Sequence, residues 1–426
     1  MRLKIKEDLI NYLKEFSYNE MENHTLFPEL EKKTVIEDFK INNYNIPVFI
    51  NEFWTSKQRK SSSLHEISYR ACFKAQLPGF FIKLFTNKGD TVYDPFSGRG
   101  TTVVEAALLS RQVISNDINP ISKIIAMPRL NIPDTGDVSN RLREILIKEA
   151  PIKKDLNKEI DLSMFYHPDT EAEIYSLRTY LIKKREKVNE DGVDSWIRMI
   201  ATNRLTGHSP GFFSVYTLPP NQAVSPERQI KINLKRNQIP EYKNTKKIIE
   251  KKTKRILKDI SSVEISKLKN ISKEALFLEK DARQTPEIPD ESVQLTVTSP
   301  PFLDVVQYSK DNWLRCWFNN LNTDEIEKEI TMSRTIEDWT SVMGSVFNEL
   351  YRITKKGGWV AFEVGEVKGG KIKLDEYVVP LGIKAGFACE GIVINLQEFT
   401  KTSNIWGVSN NNRGTNTNRI VLFHKN

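Results

Sequence analysis

Cysteine is scarce, long apolar runs are missing, and excess basic charge is absent from most of the chain. The three cysteines, Cys72, Cys316 and Cys389, are odd in number, widely spaced and without a CxxC pair. That excludes a disulfide framework and a zinc cluster and leaves reduced, mostly buried thiols as the expectation. No stretch approaches the length of a membrane span, so no membrane partner is expected. The opening Met1-Arg2-Leu3-Lys4-Ile5-Lys6-Glu7-Asp8 carries charges where a signal peptide needs an apolar run, which points to the cytoplasm. With 39% apolar and 28% charged residues the composition is that of a soluble globular protein, not of a disordered chain. At 426 residues there is room for one large domain with an insertion or for two domains.

The net charge of +8 is unevenly spread: residues 228–258 hold twelve Lys/Arg against two Asp/Glu, a local +10 that leaves −2 for everything else. Concentrated charge is what neutralising phosphates requires. The competing reading is a solvated helix face, because Ile249, Ile256, Ile260 and Val263 recur at helical spacing behind the lysines. Lys251, Lys252 and Lys254 are the residues on which the phosphate reading rests.

Residues 1–50 carry a helical pattern at 8–16 and then a mixed segment, read as an arm. Between 51 and 88, Phe53-Trp54-Thr55-Ser56-Lys57-Gln58-Arg59-Lys60 and His65-Glu66-Ile67-Ser68-Tyr69-Arg70 interleave aromatics with charges, which suits a nucleic-acid channel or an ordinary core edge. Strand, glycine turn and helix follow: 91–94, then Pro95-Phe96-Ser97-Gly98-Arg99-Gly100, then 102–109. Glycines there let backbone approach a ligand, and the helix start offers unpaired amides. The next strand, 112–116, ends at Asp117, 23 residues after Asp94, an offset at which an acid can take both hydroxyls of a ribose. A nicotinamide-binding turn would share that much, but this one reads GxGTT, lacks the third glycine of GxGxxG, and has an Asp before the turn.

The α/β alternation stops after the helix opened by Asn119-Pro120. Helical periodicity at 137–148, 169–184 and 194–204 and the lysine-rich stretch indicate an inserted helical block over 131–274. Alternation resumes with strands at 275–278 and 293–297, followed by Thr298-Ser299-Pro300-Pro301-Phe302. Two prolines make a rigid loop with free carbonyls beside an aromatic ring. Helices at 339–352 and 375–384 and strands at 359–364, 386–397 and 419–423 complete the pattern, with a polar, asparagine-rich loop at 404–418 read as a hairpin connection.

Together DPFSGRGTT at 94–102, NDINP at 116–120, DAR at 281–283 and TSPPF at 298–302 resemble the DNA amino-methyltransferases of restriction-modification type. The resemblance covers about 65–130 and 275–425, and its motif order is that of the group called alpha. It implies an α/β, class I methyltransferase-like fold: a seven-stranded, mostly parallel sheet with helices on both faces, interrupted by a mainly helical insertion. The implied division is an arm at 1–50, a cofactor-binding catalytic domain at 51–130 and 275–426, and a basic target-recognition region at 131–274. The implied cofactor is S-adenosyl-L-methionine. Asp94, Phe96, Gly98 and Gly100 would wall its methionine part, with Thr101 and Thr102 at the helix start. Asp117 would hold the ribose, Asp281 and Ala282 would face the adenine, and Phe80-Phe81 would stand for the motif that precedes the glycine turn. The implied partners are double-stranded DNA and a cognate restriction endonuclease acting on the same site.

Ser299, Pro300, Pro301 and Phe302 would be the catalytic set. An exocyclic amine has its lone pair drawn into the ring, and hydrogen bonds from its protons to Ser299 Oγ and the Pro300 carbonyl would restore its nucleophilicity, with Phe302 stacked on a flipped base. None of the cysteines follows a proline, so the Pro-Cys nucleophile of cytosine ring-carbon methylation is missing. No metal is needed. Serine before the two prolines is commoner in cytosine-N4 enzymes, so the expected product is N4-methylcytosine. The alternatives are N6-methyladenine, an RNA methyltransferase, and a catalytically silent nucleic-acid binder.

Overall fold

The computed structural model describes residues 6–16, 33–41, 43–54, 61–70, 72–148, 160–219, 222–301, 308–329, 335–367, 372–395 and 418–426. Phe302, residues 55–60 of the aromatic-basic stretch and 404–417 of the asparagine-rich loop lie outside these.

In chain order the elements are α1 (Lys6–Lys14), β1 (Val35–Ile41), β2 (Tyr44–Asn51), α2 (Gln76–Phe85), β3 (Thr91–Asp94), α3 (Thr101–Leu108), β4 (Gln112–Asn116) and α4 (Ile121–Ala126). A helical run follows: α5 (Thr135–Lys148), α6 (Pro168–Glu186), α7 (Gly192–Arg204), α8 (Pro226–Arg236), α9 (Thr245–Leu257) and α10 (Ser262–Ser272). The second α/β half comprises β5 (Leu276–Leu278), β6 (Val293–Thr298), α11 (Tyr308–Phe318), α12 (Thr323–Glu329), α13 (Ile336–Ile353), β7 (Thr354–Val364), the short pair β8 (Glu366–Val367) and β9 (Ile372–Lys373), α14 (Asp375–Lys384), β10 (Ala388–Asn395) and β11 (Asn418–His424).

One sheet runs in the order β1-β2-β10-β11-β7-β6-β3-β4-β5. The seven expected strands are its β10-to-β5 portion, and β7, β6, β3, β4 and β5 pair parallel in succession. Only β11 runs against its neighbours within those seven, between β10 and β7. The expected α/β class is therefore the observed one, but the sheet has nine strands instead of seven. The two extra come from the segment expected as an arm: β2 adds in parallel to β10, matching Val48 with Ile392 and Ile50 with Ile394, and β1 closes a hairpin on it. Covering an otherwise open edge is the physical reason such a hairpin is stable there. Ile46, Val48 and Phe49 of β2 are buried, while β1 is mostly exposed.

The central strands are buried on both faces because helices cover both; every residue of β6 is buried, including the polar Gln294, Thr296 and Thr298. On one face Trp359 of β7 stacks on Phe85 of α2 at 4.2 Å between centroids, and on the other Phe347 of α13 meets Phe362 and Phe423 at 4.8 and 5.2 Å. The helical block continues the first of these cores: Trp196 of α7, Ile249 and Ile256 of α9 and Leu64 belong to the same apolar cluster as Val103 and Val104 of α3. Trp196 Nε1 donates to Thr253 Oγ1 at 3.1 Å, fixing α7 on α9. No helix among the described residues is long and apolar enough to cross a membrane.

Candidate active site

Because β3, β4, β6 and β7 are parallel, their carboxyl ends open on one edge of the sheet, the edge at which open α/β sheets bind ligands. That edge gathers Asp94, Asp117, Ser299 and Glu363 from positions up to 269 residues apart. Three of the four are carboxylates. Such a cluster needs either protons or a cation.

The glycine turn leaves β3 with positive φ at Gly98 (50°) and Gly100 (72°). The two glycines serve different ends. A Cβ on Gly100 would lie 2.6 Å from Ala126 Cβ, so this residue lets α3 pack on α4. A Cβ on Gly98 would find only the Tyr69 ring, at 3.7 Å, and Gly98 N donates to Asp117 Oδ2 at 2.7 Å. Gly98 thus faces the open side of the turn. Thr101 and Thr102 do stand at the start of α3, but as structural bonds: Arg99 Nε donates to Thr101 Oγ1, and Thr102 Oγ1 donates to the Val297 carbonyl.

Asp94 is buried at the end of β3 and accepts from Thr298 Oγ at 2.6 Å and from Phe96 N at 3.2 Å. Burial pushes its pKa up to about 7; those bonds oppose the rise and the neighbouring Asp117 adds to it. Asp117 accepts from Gly98 N and, at 2.9 Å, from Asn119 N. Burial raises it to about 6 against those two bonds, and no cation is among the groups that shift it. Two carboxylate oxygens offer about four acceptor sites, so with two occupied Asp117 retains capacity for two hydroxyls. A ribose diol fits there. A cationic cofactor fits the cluster as a whole, since it supplies the positive charge that the carboxylates lack.

Phe96 lies half-buried beside the turn. Asn116 ties the neighbouring loop in by bonding both Lys280 N and Lys280 O at 3.0 Å, which carries the β4–β5 pairing past the strand ends. Asp281 follows directly. Its carboxylate is held by Arg283, with Nε at 2.8 Å and Nη2 at 2.5 Å, and Ala282 is buried in the core cluster under β4. Phe80 and Phe81 lie on α2 in an aromatic cluster with Phe16, Phe53 and Trp54, behind the sheet core.

At the end of β6, Ser299 is half-buried and Pro300 buried, and the Pro301 carbonyl accepts from Trp339 Nε1 at 2.9 Å, which anchors the double-proline loop to α13. Ser299 also hydrogen-bonds Glu363 of β7. Burial pushes that carboxyl up to about 7, and the Ser299 bond holds it back. Sequence reasoning missed Glu363. Its signal was one acid near the carboxyl end of an otherwise apolar strand, Trp359-Val360-Ala361-Phe362-Glu363-Val364.

The stretch 61–74 was also undervalued. It is strapped over the turn: Arg99 donates to the carbonyls of Ile67 and Phe73, Arg129 to that of Leu64, and Asn203 and Arg315 to that of Ser68. His65 is buried against Glu105 at 3.0 Å, and burial lowers its pKa, as befits a structural, neutral ring. Of the three lysines singled out on α9, Lys251 and Lys254 are exposed whereas Lys252 turns inward onto Glu66.

A model of the DNA methylase family matches residues 10–127, which include the strap, the glycine turn and Asp117. Over that part of its length the chain is similar to the DNA methylase family. Among curated relatives, the type II methyltransferase M.BsoBI of Geobacillus stearothermophilus is 25% identical over 351 residues, 76% of this chain and 66% of that protein. M.MjaII of Methanocaldococcus jannaschii is 28% identical over 140 residues, 33% and 26% of the two chains. M.BglI of Bacillus subtilis is 41% identical over 82 residues, 19% and 23%. The chain thus spans less than two thirds of each relative's own length.

Proposed function

We propose that the chain transfers a methyl group from S-adenosyl-L-methionine to the exocyclic N4 amine of cytosine in double-stranded DNA, as the modifying half of a restriction-modification pair. The observation that carries this reading is the Ser299–Glu363 hydrogen bond, set in a double-proline loop on the same sheet edge as Asp94 and Asp117. The type II methyltransferase relatives support the restriction-modification setting.

When bound, the cofactor supplies a methyl group already activated on a sulfonium. The protein's task is then placement and proton handling. Ser299, donating its hydroxyl proton to Glu363, turns its oxygen lone pairs outward, where they accept a hydrogen bond from the target amine and favour a more tetrahedral nitrogen. Transfer of that methyl group to nitrogen would leave the electron pair of the broken bond on sulfur. The proton that nitrogen must lose passes through Ser299 to Glu363, whose pKa near 7 is matched to a base working at neutral pH. The rigid prolines keep Ser299 from following the amine, so the contact strengthens at the transition state.

Asp117 would take the ribose hydroxyls, Gly98 would let the methionine portion approach the turn, and the Asp94–Asp117–Glu363 field would hold the cationic end. Mass spectrometry of nucleosides from duplex DNA treated with the protein and cofactor tests the proposal: N4-methylcytosine is expected. N6-methyladenine in its place would reassign the base, and no methylated nucleoside would remove the reading.

A further inference from the structure

Beside the glycine turn lies a second concavity, a cleft of about 1610 Å³ between the 61–74 strap and helices α7 and α9. Its inner wall brings together three cations. Arg204 is 8% exposed, donates to the Asn203 carbonyl and side-chain oxygen, and lies 3.9 Å over the Phe212 ring. Lys252 is 7% exposed, with Nζ 3.4 Å from Glu66 Oε2, and Arg255 Nε lies 2.6 Å from that same oxygen. Among the described residues, Glu66 is the carboxylate paired with Lys252 and Arg255, while Asp259 on the same wall pairs with Lys258.

Three positive groups therefore share a single negative one, two of them nearly out of water. The two buried cations are thereby pushed toward giving up a proton. Burial and then repulsion from Arg204 bring Lys252 down to about 8, and burial with repulsion from Arg255 and Arg315 brings Arg204 down to about 9, Glu66 opposing both. Ser61 Oγ, also on the cleft wall, is buried without a hydrogen-bond partner among the described residues. A buried donor and under-neutralised cations lining one cleft call for an anion with several acceptor oxygens.

We propose that this cleft is a phosphodiester site for a nucleic-acid strand, with the Glu66 carboxylate as an internal stand-in for phosphate that an incoming strand displaces from Arg255 and Lys252. Choice of a nucleic-acid strand as occupant rests on the DNA reading above, whereas the anion site and its carboxylate plug rest on geometry alone. Glu66 then acts as a gate. It keeps the cluster folded when no strand is present, and it competes with every phosphate that enters, so that a strand must bring enough further contacts to win. Weak, non-productive anion binding is suppressed.

The test is titration of a fluorescein-labelled random-sequence duplex of about 20 base pairs at several KCl concentrations, with melting temperature measured for each variant. Glu66→Gln should bind the duplex roughly five- to tenfold more tightly at a fixed low salt, because removing one competing charge leaves the cations free for phosphate. Arg255→Gln, at an exposed position, should weaken binding and lower the slope of log affinity against log salt by about one contact. Unchanged or weaker duplex binding by a folded Glu66→Gln would overturn the proposal and leave Glu66 as a strut between strap and α9. Inorganic phosphate provides the other arm: if Glu66→Gln tightens for free phosphate and not for duplex, the site takes free anions and the strand is wrong. Duplex tightening without any methylated product would sink the methylation reading and leave this inference standing.

Discussion

Replacing Asp117 by Asn separates the charge of that side chain from its shape. In the structure Asp117 accepts from Gly98 N and Asn119 N, and Asn keeps one carbonyl oxygen for either. The variant loses the negative charge and half the acceptor capacity on which a ribose diol would draw. Hydrogen bonds to charged groups are each worth about 1.5–3 kcal/mol, so cofactor affinity should fall roughly 10- to 150-fold. The pH dependence supplies a second reading. Burial sets the folded pKa at about 6, above the ordinary 3.8, so below pH 6 the carboxyl is protonated and wild-type affinity should fall with pH about tenfold per unit more steeply than that of the Asn variant.

Stability should move the opposite way. Between about pH 4 and 6 the folded state binds the extra proton, so its stability falls as pH rises through that window, by about 3 kcal/mol at most for this single group. At pH 8 the wild type carries that penalty and the Asn variant does not, less whatever the lost bond to an amide costs. Calorimetric titration of S-adenosyl-L-methionine at pH 5.5, 6.5 and 7.5, with melting curves at pH 5 and 8, reads both effects. Equal affinities for the two proteins across that range, with both folded, would refute the assignment of Asp117 to the ribose.

Ser299→Ala should lower kcat by about 10²-fold or more while leaving cofactor affinity within about threefold, read by single-turnover methylation and calorimetry, because its bond to the amine counts at the transition state. Glu363→Gln should remove the limb of the kcat/KM profile for the cofactor that titrates near pH 7 in the free protein, and a persisting limb would assign that proton elsewhere. Thr298→Val leaves the buried Asp94 carboxylate without its shortest hydrogen bond and should cost about 1.5–3 kcal/mol at pH 8, where Asp94 is ionised, and less at pH 5, checked by urea denaturation at both. Gly100→Ala should lower the melting temperature more than Gly98→Ala, since only the former drives a methyl into Ala126, and Gly98→Ala should show its loss in cofactor affinity.

The two halves of the sheet were legible because their code is local. Thr91-Val92-Tyr93-Asp94 ahead of a glycine turn, and the apolar run into Thr298-Ser299-Pro300-Pro301, carry period and punctuation within a dozen residues. What escaped depends on partners distant in the chain. The β1–β2 hairpin reads as mixed because one of its strands is mostly exposed, and only β10, more than 300 residues later, gives it an edge to complete. Lys252 looks like its neighbours Lys251 and Lys254 in sequence, yet a helix turns each residue by about 100°, and the inward direction meets Glu66 some 186 residues away. Lysine density measured the charge of α9 correctly and could not say which charges reach solvent.

Glu363 poses the same problem with more at stake. An acid in a strand otherwise apolar is a local anomaly, and its ordinary explanation is an exposed edge, but β7 lies between β11 and β6 near the middle of the sheet. Placing it there makes the charge expensive, and expense at a sheet edge shared with Asp94 and Asp117 is what a site for a cation would require. Each of the three carboxylates is destabilised when ionised, and each gains when a positive group enters, so binding of a sulfonium cofactor should lower all three pKa values together. Cofactor uptake near pH 6.5 should therefore release protons, seen as a calorimetric enthalpy that varies with the ionisation enthalpy of the buffer. An enthalpy independent of buffer at that pH would mean that the acids are already ionised without the cofactor, and the electrostatic argument for this site would fail.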